Sequence, residues 1–157
     1  GENLLVTPGG NRRSPTLTVV DWEMAGRGDP GWDLGAAFTE YLGTWLASIP
    51  ITGHDPPDRF LELARYPLAR IQPAIRRLWQ VYARERCLPA PAARHLLDRA
   101  VAYSAARLVQ TVFEQNQTAA QPFGTALAAL QLAYNILDRP DDAAVQLLGI
   151  PATPVAA

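Results

Sequence analysis

The residues best placed to do chemistry are acidic and lie close together. Val19-Val20-Asp21-Trp22-Glu23 is followed by Gly28-Asp29-Pro30 and then Asp33-Leu34. An Asp at the end of a strand, just before a turn, holds its carboxylate on a rigid support. That is how a chain offers one hard oxygen ligand to Mg²⁺ while the ion keeps its waters and substrate phosphates. The two valines before Asp21 are expected to anchor that strand in a core. Asp33, twelve residues further on, stands where a helix should open. A carboxylate there accepts backbone N–H bonds and can brace a neighbouring loop. Asn3 is a neutral oxygen ligand, and it comes close to Asp21 if Asn3–Val6 pairs with the strand leading into Asp21.

These groups need a scaffold, and the sequence pattern outlines one. Asn3 to Val6 is a short apolar run, Thr7-Pro8-Gly9-Gly10-Asn11 is a dense turn signal, and Thr16 to Trp22 alternates and is β-branched. Two antiparallel strands joined by a loop at 7–15 are expected. A hairpin of that size is not stable alone and needs helices behind it. From Trp32 the period changes to 3.6, with Leu34, Phe38, Tyr41, Leu42, Trp45 and Leu46 on one face as far as Pro50. A connector follows at 50–58, with Asp58 able to cap a short turn. Ile71, Ile75, Leu78 and Tyr82 mark a second helix, with Pro67 near its start and Pro73 expected to kink it. Leu97, Val101, Ser104, Leu108 and Val112 mark a third, ending near Gln115. Pro122 opens a fourth, with Leu127, Leu130, Tyr134 and Leu137 on one side. Pro140-Asp141-Asp142 starts a short last helix to Leu148, and 151–157 is expected to be a flexible tail. The fold class is therefore α+β and mostly helical: a β-hairpin, four long helices and a short C-terminal one. All of these apolar stripes are expected to be core.

Composition narrows the classes of function. The 157 residues suit one domain with a real core. Fourteen basic residues against fifteen acidic ones exclude a strongly basic nucleic-acid binder. Every basic residue is Arg, so no Lys is present to form a Schiff base or clamp a phosphate. One cysteine, Cys87, excludes an internal disulfide and a multi-cysteine zinc site and fits a reducing cytoplasm, where it reads as a buried or incidental thiol. No run approaches the roughly 18 apolar residues of a membrane span, and no signal peptide is evident.

In order and spacing, Val20-Asp21-Trp22-Glu23, Gly28-Asp29-Pro30 and Asp33-Leu34-Gly35 resemble the C-terminal lobe of the aminoglycoside phosphotransferase and choline kinase group, which has a protein-kinase-like fold. The family pattern reads apolar–Asp–Trp/Phe–Glu, then Gly-Asp-Pro, then Asp-Leu-Ala/Gly. The resemblance covers residues 1–46; beyond them the chain offers a helical region of suitable length. The family's catalytic loop has His-Gly-Asp, then Asn after four residues, then a strand, and Asn3-Leu4-Leu5-Val6 fits that Asn and strand. The resemblance implies Asn3 and Asp21 as Mg²⁺ ligands, in the manner of phosphoryl transfer, and Asp33 as the helix Asp that bonds back to the catalytic loop. Glu23 stands where the protein-kinase Asp-Phe-Gly has Gly, so no flip of that motif is implied.

On this resemblance 1–150 is one lobe of a bacterial, cytoplasmic ATP/Mg²⁺-dependent phosphotransferase, with a metal-site hairpin at 1–24 and a helical subdomain at 31–150. The reaction is γ-phosphoryl transfer to an acceptor hydroxyl: an aminoglycoside, choline or similar small molecule, or a peptide Ser/Thr. The last is suggested by Trp-Asp-Leu-Gly, Glu-Tyr-Leu and a late Trp-Leu within Gly31–Pro50. The catalytic-base Asp would fall three residues before Gly1, and the nucleotide-clamping Lys in an N-terminal lobe. The chain is thus expected to be a fragment, inactive alone, with Leu4, Leu5 and Val19 exposed on its interlobe face. No nucleic acid or membrane partner is implied.

Plainer readings stand beside these. Asp21 is alternatively a strand-end carboxylate, Asn3 a turn residue and Asp33 an ordinary helix N-terminal charge; their shared register favours the metal and bracing roles. Trp22, Trp32, Trp45 and Trp79 read as core or interlobe packing. Glu40 and Tyr41 sit where a substrate wall would be, but Glu40 reads better as solvated. Arg76, Arg77, Arg84 and Arg86 form a solvated helix face or a docking surface for an acidic partner. His54 and His95 each stand alone. The rival from another class is a non-catalytic, kinase-derived helical module that binds a partner protein.

Overall fold

The computed structural model describes residues 3–9, 14–50, 63–117 and 124–151. The tip of the first loop, the 51–58 connector with His54 and Asp58, Pro122 and the end of the tail lie outside the described residues. Two strands, β1 (Leu4–Thr7) and β2 (Thr16–Val19), pair antiparallel with Leu4 opposite Val19 and Thr7 opposite Thr16. A 3₁₀ turn (Trp22–Met24) leads to α1 (Pro30–Ala47). Then come α2 (Leu68–Glu85), α3 (Ala90–Asn116), α4 (Gly124–Asp138) and a short α5 (Pro140–Asp142) that widens into a π-helical turn (Ala143–Leu147). The fold is mostly helical with one hairpin. Among the described residues no helix is long and apolar enough to cross a membrane.

The core is built by the helices. Phe38 and Leu42 of α1, Ile75 of α2, Val101 and Ser104 of α3, Ile136 of α4 and Leu148 are all but fully buried. The closest contact is between α1 and α3, and a glycine makes it possible. A Cβ at Gly35 would lie 2.7 Å from the Tyr103 Cβ and 2.8 Å from the Ala100 carbonyl oxygen. Beside it Thr39 Oγ1 donates towards the carbonyls of Gly35, at 2.9 Å, and Ser104, at 3.0 Å, so the buried hydroxyl has partners on both helices. α2 closes the far end. Gln72 Nε2 donates to the Gln146 carbonyl at 2.7 Å and Arg76 Nε to the Gly149 carbonyl at 2.8 Å. Carbonyls near the end of the last helical turn thereby gain donors from another helix.

Two expectations need correction. No described hairpin residue joins the core, and every position of β1 and β2 is exposed, so Val19 is not anchored in the core and Val20 is half-buried. Leu127, Leu130, Tyr134 and Leu137 do share one side of α4, but that side faces solvent; α4 buries Ala126, Ala129, Leu132, Ala133 and Ile136 instead. Pro73 falls in the second turn of α2, which continues past it to Glu85. Of the tryptophans, Trp45 and Trp79 are core, and Trp22 and Trp32 are exposed.

Candidate functional site

The hairpin register brings the expected metal ligands together. Val20 N–H donates to the Asn3 carbonyl at 3.0 Å, extending the ladder one step past β1 and β2. That step sets the two side chains beside each other, and Asn3 Nδ2 donates to Asp21 Oδ2 at 3.1 Å. Asp21 ends the strand in the left-handed region, φ 63° and ψ 54°. Asp is one of the few non-glycine residues that visits this region readily, because its short polar side chain bonds locally. The turn is closed by Ala25 N–H on the Trp22 carbonyl, at 2.9 Å, and by Trp22 Nε1–H on the Val19 carbonyl, at 2.9 Å. The sharp backbone reversal at Asp21 and the indole folded back on the strand together fix where the carboxylate stands.

The pair is open to water and is closed on itself by one hydrogen bond. A carboxylate and an amide oxygen suit a hard cation that keeps most of its hydration shell, and Mg²⁺ is such an ion. The Asn3 amide now presents its NH₂ to Asp21; to ligate beside the carboxylate it must turn its Oδ1 inward. Among the described residues no group of three or more His, Cys, Asp or Glu side chains could hold a metal.

Asp33 lies in the first turn of α1, exposed, and among the described residues its side chain has no hydrogen-bond partner. The carboxylate that ties two helices together is Asp29. Its Oδ1 accepts from Gly31 N–H at 2.9 Å, capping α1 with Pro30 at the first helical position. Its Oδ2 accepts from Arg99 Nε at 2.7 Å and from the Tyr103 hydroxyl at 3.3 Å, and Arg99 Nη2 reaches Oδ1 at 3.3 Å. The Arg99 hydrogen bonds, followed by the Gly31 cap, hold the Asp29 carboxyl below the usual carboxylate range, and Asp29 raises Arg99 in return. One turn on, the Trp32 ring meets Tyr103 edge to face at 5.4 Å and lies under the Arg107 guanidinium at 5.4 Å. Asp29, Trp32, Arg99, Tyr103 and Arg107 thus pin the start of α1 to α3. Arg99, Tyr103 and Arg107 escaped the sequence reading. Their i, i+4, i+8 spacing beside the Leu97–Val101–Leu108 stripe is the signal that marks them.

The remaining candidates separate. Tyr41 packs against the core, and Glu40 is exposed. Arg76, Arg77, Arg84 and Arg86 are all exposed; Arg84 pairs with its neighbour Glu85, and Arg76 donates to the Gly149 carbonyl. His95 and Cys87 are both exposed; Cys87, expected to be a buried or incidental thiol, is not buried. A shallow groove of about 370 Å³ lined by Leu132, Asn135, Asp138, Arg139, Asp142 and Gln146 contains none of the expected site residues. Comparison with protein-family models, curated proteins and solved structures found no match, so the functional reading rests on these residues and their geometry.

Proposed function

We propose that this chain is the C-terminal part of an ATP/Mg²⁺-dependent phosphotransferase that transfers a γ-phosphoryl group to an acceptor hydroxyl. The observation that carries the reading is the Asn3–Asp21 pair: two oxygen-bearing side chains on adjoining strand ends, hydrogen-bonded at 3.1 Å and facing water. Catalysis of this kind consists mainly of positioning and charge stabilisation. In that scheme Asp21 and Asn3 hold the cation, which neutralises the nucleotide phosphates. The Asp29 clasp fixes the start of α1, and Asp33 waits at the helix end for a loop to brace. The apolar hairpin face of Leu4, Val6, Leu17 and Val19, all exposed, suits contact with a nucleotide-binding lobe. The acceptor class, whether aminoglycoside, choline or a peptide hydroxyl, belongs to the helical side.

The test is made on the polypeptide encoded by the complete open reading frame. Mg²⁺-ATP binding is measured by calorimetry and phosphoryl transfer with labelled ATP. Asp21→Asn is the informative variant, since Asn tolerates the left-handed backbone and keeps the shape. Transfer should fall by about 10²-fold or more with the thermal midpoint unchanged. If full-length protein ignores Mg²⁺-ATP, and Asp21→Asn changes nothing, the alternative of a non-catalytic helical module that binds a partner protein takes its place.

A further inference from the structure

We infer that Trp22 is a positioning residue for the cation pair: its indole N–H clamps the strand end, so that the Asp21 carboxylate stands beside Asn3 before a cation binds. The inference rests on the phosphotransferase reading, in which Asp21 and Asn3 hold Mg²⁺. The first observation is that burial does not account for where the ring lies. Trp22 is 65% exposed and stands outside the core, yet its Nε1–H is committed to the Val19 carbonyl at 2.9 Å. The second is which carbonyl the indole meets. Val20 N–H donates to the Asn3 carbonyl, and the register sets Leu4 opposite Val19. Bonded and non-bonded pairs alternate along an antiparallel ladder, so Asn3 with Val20 is a bonded pair and Leu4 with Val19 is not. The Val19 carbonyl therefore points away from β1, to the open edge of β2. Among the described residues no third strand lies there to receive it, and the indole does.

The third observation is what the bond spans. It runs from Trp22 to Val19 and so straddles Asp21, whose backbone is left-handed at φ 63°. A residue with a Cβ holds that conformation only where its surroundings enforce it. The Asp21 side chain does not cap the turn that follows; it is spent on Asn3 instead. The indole is thus a clamp across the reversal that leaves the carboxylate free for its partner. When the clamp opens, the strand end can leave the left-handed turn, and the carboxylate leaves Asn3 with it. A pair ordered in advance binds more tightly than one that must be ordered as the cation arrives. Trp22 touches neither cation nor phosphate in this scheme and acts through Asp21.

The polypeptide of the complete open reading frame is again the one to test. Mg²⁺ is titrated at saturating ATP, and Mn²⁺ binding is followed by electron paramagnetic resonance as a readout apart from turnover. Trp22→Phe is the informative variant, because it keeps an aromatic ring for packing and removes the N–H. Loss of one hydrogen bond should raise the half-saturating Mg²⁺ concentration and the Mn²⁺ dissociation constant by about 2- to 10-fold each. The rate at saturating Mg²⁺ should fall by less, and the thermal midpoint should hold because Trp22 is outside the core. In an Asp21→Asn background Trp22→Phe should add little, since the carboxylate it places is gone. Wild-type metal dependence in Trp22→Phe overturns the proposal and leaves the phosphotransferase reading standing. So does a lower saturated rate or thermal midpoint at unchanged metal dependence, which would make Trp22 a packing residue. An effect of full size in the Asp21→Asn background also overturns it. If the unaltered protein ignores both Mg²⁺ and Mn²⁺, the inference and the reading beneath it fall together.

Discussion

At the scale of single residues, the acidic cluster divides into two jobs by neighbourhood. Asp21 accepts from an amide and faces water; Asp29 accepts from Gly31, Arg99 and Tyr103. The second arrangement depends on Asp29 being ionised. Its carboxyl is depressed below the unfolded value, so the stabilisation is fully present above the ordinary Asp pKa of about 4 and is lost as pH falls through the folded one. Asp29→Asn should flatten that acid limb in urea titrations followed from pH 6 downward, because the neutral side chain no longer titrates. An unchanged limb would remove Asp29 from the acid response. The sequence showed the register of Asp21, Asp29 and Asp33 but not that Asp29 ties α1 to α3. That depends on Arg99 and Tyr103, 70 and 74 residues away from Asp29, and their spacing on α3 says nothing of what they meet.

Among the elements, α1 and α3 form the pair that the rest of the fold is built around. Gly35 is the contact point, and any side chain there meets backbone. Gly35→Ala gains up to about 1 kcal/mol of helix propensity but forces Tyr103 and the Ala100 carbonyl to move, at a cost of about 1–3 kcal/mol. The expected net change is a loss of up to about 2 kcal/mol, read from denaturant midpoints at constant slope. A stabilised variant would show that the helices separate freely. Phe38→Ala, by contrast, should leave the geometry of the contact intact and cost about 3–5 kcal/mol through the cavity it leaves in the core. Periodicity located all the long helices and most of their inward faces. It failed on α4, where alanines share the inward face with Leu132 and Ile136 while larger side chains point out. Residue size suggested the wrong face because small residues permit the closest approach to α3.

For the molecule as a whole, the helices and the hairpin are of unequal firmness. The helices share one core; among the described residues the hairpin adds no side chain to it and is held by its own ladder and the turn at Asp21. A two-stranded hairpin without a packed face is marginal in water. Amide exchange should therefore be fast across Leu4–Val19 and slow at Phe38, Val101 and Ser104, with the difference persisting in mild denaturant. Equal protection in both regions would mean that the hairpin is held by contacts beyond its ladder. The hairpin itself was legible from alternation and turn residues. Its isolation from the core was not, because the apolar run Leu4–Val6 and the alternation of Thr16 to Val19 are the same whether one face meets a core or water.

That inequality ties occupancy to order. The Asn3–Asp21 pair exists only while the two strands are in register, so each departure from register dissolves the site. On the proposed reading, a surface that covered Leu4, Val6, Leu17 and Val19, which share one face of the hairpin, would hold the register and so raise affinity for a cation at the pair. By reciprocity the cation would raise affinity for that surface by the same factor. The two binding events are coupled through the hairpin alone, and neither needs to change the shape of the helices beneath.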